Sequence, residues 1–147
     1  MLLKRLTLDD ITVGLKAKNW DEAIRKSSER LLERGCIEPR YVEEMIHVIN
    51  EKGPYLVISP HVALAHARPE CGVNEMGLSF ALLETPVSFG VEEFDPVKLI
   101  VTLAAIDNKS HLNLLSELAE VLIDDERMDA LYNAETREKL YEILTRG

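Results

Sequence analysis

The chain has 147 residues, 46% of them hydrophobic and 29% charged, a size and balance that bury a self-sufficient core and exclude collagen-like or wholly disordered chains. Its 17 Lys and Arg against 26 Asp and Glu leave a formal net charge of −9. That charge excludes a general nucleic-acid binder, whose affinity rests on cationic side chains neutralising phosphates.

The longest nearly apolar run, Leu99 to Ile106, is far shorter than the roughly 18–20 residues that cross a bilayer. The opening Met1-Leu2-Leu3-Lys4-Arg5 meets Asp9 and Asp10 before any apolar region develops, so no secretory signal is expected and the chain is read as cytoplasmic. Cys36 and Cys71 form no C-x-x-C motif, which fits a reducing compartment and offers neither a zinc knuckle nor a redox pair.

No repeat, low-complexity tract or linker interrupts the sequence, so residues 1–147 are read as one domain. Asn19 with Glu22 three positions on resembles a capping box, and Trp20, Ala23, Ile24, Ser27, Leu31 and Leu32 follow at helical spacing until Gly35. Pro39 opens a second helix with the stripe Val42, Met45, Ile46, Ile49, stopped by Gly53-Pro54. Short apolar runs then predict strands at Tyr55–Ile58, Val62–Ala65, Leu78–Leu83 and Leu99–Ile106, with turn residues between them. The later runs are apolar at consecutive positions, as in strands covered on both faces by helices. Leu112, Leu115, Leu118, Ala119 and Leu122 predict a third helix, Met128–Tyr132 a short turn or helix, and Leu140, Ile143 and Leu144 a terminal helix. The expected fold is α/β, a mixed β-sheet sandwiched by helices.

Of four histidines, His47 lies on the charged side of the second helix and is expected to be a solvated surface group. His66 stands where an apolar strand runs into the turn His66-Ala67-Arg68-Pro69-Glu70, a place where a rigid element fixes a side chain that the loop leaves open. Alternation puts His66 and Arg68 on one side, so a nucleophilic ring nitrogen and a planar cation are available together for a phosphoryl group. A histidine tucked under the loop, with its nitrogens bonded to backbone, fits the same spacing. His111 falls in the first turn of the third helix, after Asp107-Asn108-Lys109-Ser110. Unpaired N–H groups there favour anions, although a merely capping or packing histidine fits as well. If the strands before His66 and His111 are parallel, both imidazoles lie outside their carboxyl ends, where α/β sheets gather ligands.

The run Gly53-Pro54-Tyr55 through Ser59-Pro60-His61-Val62-Ala63-Leu64-Ala65-His66-Ala67-Arg68-Pro69-Glu70, with Gly77-Leu78-Ser79-Phe80 and Pro86-Val87-Ser88-Phe89-Gly90 after it, resembles a known family. It is that of the enzyme IIA component of the mannitol/fructose class of the bacterial phosphotransferase system. Within it the ascorbate-type branch is the most similar, its active histidine standing in a P-H-A-R-P-E string. Trp20–Ile24, Tyr41–Ile46, Asp95–Lys98 and Leu103–His111 follow the family's order and spacing, so nearly the whole chain is covered.

The resemblance implies that His66 accepts a phosphoryl group from the phosphohistidine of the carrier protein HPr and passes it to a cysteine of a IIB partner. It further implies that His111 stabilises that group; the role of Arg68 in neutralising its charge is an inference from guanidinium chemistry. No cofactor, metal or nucleic acid is implied, and any association with a membrane IIC component would run through IIB. The attacking nitrogen must be unprotonated, so its sister nitrogen is expected to donate to a carbonyl, with little pKa tuning needed. Ala65 stands where the family usually has Pro, and His61 where the ascorbate-type string commonly has Gly; the acidic residue upstream in mannitol-type members has no match.

Leu64, Val73 and Met76 are expected to form an apolar docking rim. Two rival readings remain at this level. One is a regulatory IIA-like module, nitrogen-type or regulator-derived, whose phosphorylation state controls partner binding. The other is a metal-dependent hydrolase using His61, His66 and His111, which regular strand alternation opposes.

Overall fold

Asn19 accepts the Glu22 N–H at 2.9 Å and starts α1 (Trp20–Ser27). Glu22 itself pairs with Lys26 at 3.0 Å, so only half of the capping box forms. In the computed structural model, which describes residues 6–146, the opening Met1-Leu2-Leu3-Lys4-Arg5 lies outside the described residues. The predicted first helix is two: Ser28, fully buried, turns its hydroxyl back to the Ile24 carbonyl at 2.8 Å, and α2 (Glu29–Glu33) begins beyond it. A serine that competes for a backbone carbonyl weakens helix continuity there. Gly35 follows at φ +75°, a conformation that glycine adopts without strain.

α3 (Pro39–Lys52) buries Tyr41, Val42, Met45, Ile46 and Ile49. The strands are β1 (Ile11–Leu15), β2 (Val57–Ser59), β3 (Val62–Ala65), β4 (Gly77–Val87) and β5 (Val97–Ala104), followed by α4 (Asn108–Leu122), α5 (Asp125–Tyr132) and α6 (Arg137–Thr145). They form one mixed sheet in the order β1-β4-β5-β3-β2, with β1 parallel to β4, β3 parallel to β5, and the other pairs antiparallel. β1 has no counterpart in the sequence reading; Thr12 and Gly14 dilute its apolar pattern. β5 ends two positions before the expected Ile106, which is exposed.

Alternation along β5 divides the core. Leu99, Val101 and Leu103 pack with Leu114, Leu118, Leu131 and Leu140 of α4 to α6, whereas Ile100 and Ala104 pack with Ile24, Tyr41 and Met45 of α1 and α3. Helices therefore cover both faces, which is why β5 reads as a continuous apolar run.

His61 precedes β3 and adopts φ +67°. Its N–H donates to the Phe94 carbonyl at 2.9 Å, its carbonyl accepts from Lys98 and Leu99, and its Nδ1 lies 2.8 Å from the Pro96 carbonyl. These bonds make it a structural residue that joins the β2–β3 turn to the entry of β5. Glycine adopts the same backbone freely, so His61→Gly exchanges one hydrogen bond for relief of left-handed strain. The expected stability change is within about 1 kcal/mol, with chemistry at His66 unaltered. Thermal unfolding and phosphotransfer assays of this variant check both halves.

Candidate functional site

β3 and β5 run parallel with Ala65 opposite Thr102, so the chain leaves both strands at the same end of the sheet. His66 is the first residue beyond β3. The β5 exit leads through Asp107, whose side chain accepts the Ser110 N–H at 2.7 Å and caps α4, placing His111 in the helix's first turn. The two imidazole centroids are 5.7 Å apart. Two rings distant in sequence thus share the wall of one cleft of about 640 Å³, lined also by Arg68, by Tyr55, and by His47, Glu44 and Glu51 of α3.

The His66 Nδ1 lies 2.6 Å from the Leu64 carbonyl. A carbonyl only accepts, so Nδ1 carries the hydrogen and Nε2 keeps its lone pair. Burial lowers the His66 pKa, the Leu64 carbonyl opposes that shift, and the neighbouring His111 adds to it. The sequence alone implies little tuning; partial burial, with the His111 ring beside it, supplies it. The neutral, nucleophilic form therefore persists to lower pH than in a free imidazole.

Residues beyond the predicted set hold this geometry. The Tyr41 hydroxyl, buried at 1% exposure, accepts the Ala67 N–H at 2.9 Å and reaches the Leu103 carbonyl at 2.8 Å, tying the segment after β3 to the end of β5. Burial pushes its pKa up to about 12, so it stays a donor. The Tyr55 hydroxyl donates to the His66 carbonyl at 2.6 Å. In the sequence Tyr55 opens an apolar run and Tyr41 stands beside the stripe of the second helix; a buried phenol needs a partner, but nothing local says which.

Arg68 is exposed on the cleft rim, and its guanidinium has no ion pair or hydrogen bond among the described residues. Every other described arginine has a carboxylate or carbonyl partner. Among the described residues, Arg68 is thus the one arginine without such a partner. His47 is exposed as expected, yet it lines the same cleft, because its helix face turns towards the loop after β3. Cys71 lines it too.

The expected docking rim is corrected. Leu64 is 3% exposed and belongs to the core face of β3, so it forms no docking rim. Val73 and Met76 are partly buried against the two cores, while Ile106, just before α4, and Leu112, next to His111 within it, are exposed large apolar residues. The three-histidine metal arrangement does not assemble: His61 and His66 flank opposite ends of β3, about 16 Å apart at 3.3 Å per residue. Ala65, in place of the family's Pro, is fully buried and paired with Thr102, so sheet pairing holds the backbone before His66.

Residues 4–147 match the family described as "Phosphoenolpyruvate-dependent sugar phosphotransferase system, EIIA 2". The chain is 37% identical over 137 residues to the mannitol-specific cryptic phosphotransferase enzyme IIA component of Escherichia coli, covering 93% of this chain and 92% of that one. A solution structure under that name superposes with a TM-score of 0.91 at 36% identity, over the full length of both chains. The ascorbate-specific EIIA component of Escherichia coli is 31% identical, covering 92% of this chain and 89% of that one. The enzyme IIA–phosphorylated IIB mannitol complex from Escherichia coli matches with a TM-score of 0.82 at 29% identity, covering 95% and 96% of the two chains.

The chain belongs to the EIIA type-2 family of the sugar phosphotransferase system, and it is a phosphotransferase component of that system. Mannitol-type and ascorbate-type relatives are matched over similar lengths. Among the described residues no helix is long and apolar enough to cross a membrane.

Proposed function

We propose that this chain works in the cytoplasm, as one domain, carrying a phosphoryl group from phospho-HPr to a IIB protein during carbohydrate uptake. The Nε2 lone pair of His66 attacks phosphorus on the phosphohistidine of HPr; the new N–P bond forms as the donor's N–P bond breaks. The phosphoryl group then leaves His66 for a cysteine thiolate of IIB, restoring the neutral imidazole. Each step exchanges one bond to phosphorus for another and needs no cofactor. His111, 5.7 Å from His66 between centroids, and Arg68, unpartnered among the described residues, supply hydrogen bonds and positive charge to the equatorial oxygens.

The observation that carries this reading is the Nδ1 contact with the Leu64 carbonyl at 2.6 Å, because it fixes which nitrogen is nucleophilic. The IIB step draws support from the solved complex of a relative with phosphorylated IIB. The Ala67-Arg68-Pro69-Glu70 string favours the ascorbate-type branch. The sugar itself is read by the downstream components, since this chain handles only the phosphoryl group.

Incubation with phosphoenolpyruvate, enzyme I and HPr is expected to place an acid-labile, alkali-stable phosphoryl group on the Nε2 of His66 and to allow its transfer to a IIB cysteine. Failure to label, or a label on another residue, overturns the reading. A label that no IIB discharges, but that alters binding to another protein, points instead to the regulatory module.

A further inference from the structure

The β3 ladder ends at Ala65, so the carbonyl of His66 has no strand partner. It is taken by the Tyr55 hydroxyl at 2.6 Å. The Tyr55 ring also stands edge-on to the imidazole, with centroids 5.5 Å apart and an interplanar angle of 70°. On the imidazole's other contact lies His111, at 5.7 Å and 44°. His66 is therefore held at its ring, at its Nδ1 and at its carbonyl, and Tyr55 supplies two of these holds. Tyr55 is itself fixed by the turn that ends α3, where its N–H donates to the Gly53 carbonyl at 2.8 Å.

The tautomer needs this support. An unconstrained neutral imidazole favours the form with hydrogen on Nε2, which has no lone pair on that nitrogen. The Leu64 carbonyl reverses the preference only while the His66 ring folds back over its own strand at 2.6 Å. That fold depends on the backbone torsions of His66, and the Tyr55 hydroxyl pins the peptide that sets them. Without the hydroxyl, the carbonyl turns towards water and the ring gains rotational freedom.

We propose that Tyr55 is a positioning residue for phosphoryl transfer, holding His66 in the tautomer and orientation that expose a nucleophilic Nε2. This rests on His66 being the phosphoryl acceptor, and it assigns to the Gly53-Pro54-Tyr55 turn a role in the chemistry rather than in packing alone. Tyr55 reaches the reaction through His66 and needs no contact with the phosphoryl group.

The test is Tyr55→Phe, which keeps the ring and removes only the oxygen, compared with the unaltered chain in two measurements. In single-turnover transfer from phospho-HPr, the maximal rate is expected to fall about tenfold, while the half-saturating HPr concentration stays unchanged. In ¹⁵N NMR of the imidazoles at neutral pH, His66 is expected to be a single Nδ1–H tautomer in the unaltered chain and a mixture of tautomers in Tyr55→Phe. Unchanged rate and tautomer in the variant overturn the proposal. So does a loss that appears wholly as weaker HPr saturation, since Tyr55 would then be a docking residue. If the unaltered chain takes no phosphoryl group, the functional reading fails separately, and the tautomer measurement still decides whether Tyr55 holds His66.

Discussion

His66→Gln is expected to abolish phosphoryl uptake altogether, leaving no label above the background of a reaction lacking HPr. Gln approximates the volume of the imidazole and can still face the Leu64 carbonyl, but it offers no nucleophilic nitrogen. His66 stands outside β3, half-buried on a cleft wall, so the fold should survive the change. Circular dichroism and thermal unfolding check that it does; any acid-labile label on the folded variant contradicts the assignment. The pH dependence of the unaltered chain follows from the same site. Burial and His111 hold the His66 pKa below its usual value. Uptake is therefore expected to keep more than half of its plateau rate at about pH 6.5, and to be lost as protonation of Nε2 removes the lone pair at lower pH. Single-turnover rates from pH 5 to 8, with the donor phosphorylated beforehand, locate the midpoint. A midpoint at or above the free-histidine value rules out the tuned site.

His111→Ala carries the second largest expected effect, a fall of about 100- to 1,000-fold in transfer rate, the usual consequence of removing one donor to developing negative charge. His111 makes no side-chain hydrogen bond among the described residues, so its ring nitrogens are free for phosphoryl oxygens. His111 stands in the first turn of α4, after the Asp107 cap, which itself takes the Ser110 and His111 N–H groups. Removing the ring takes away one contributor to the lowered His66 pKa, so the midpoint of the pH profile should move upward as the rate falls. His111→Gln, which retains a donor, should recover part of the rate. A loss confined to HPr saturation, with maximal rate intact, would assign His111 to docking.

The elements with long apolar periodicity were legible in the sequence because burial on one helix face, or on both faces of a central strand, leaves a pattern that survives local noise. α3, α4 and β5 are of this kind. β1 escaped because a parallel edge strand of five residues with Thr and Gly inside it has too little pattern. The break at Ser28 escaped because one hydroxyl's choice of carbonyl is not written in periodicity. His66 and His111 could be singled out as residues at element ends. Their approach could only be stated conditionally, since it depended on β3 and β5 being parallel neighbours.

By itself, the sequence determined the layered α/β class and the acidic character, and it marked His66 and His111 as residues at the ends of elements. The tertiary structure alone decided the rest: the Leu64 carbonyl that selects the tautomer, the phenols of Tyr41 and Tyr55 that pin the turn, and the guanidinium of Arg68 at the rim, unpartnered among the described residues. The physical reason is range. Periodicity records whether a residue is buried, which is a property of its own element. A hydrogen bond to a buried backbone group joins residues that only the completed sheet brings together.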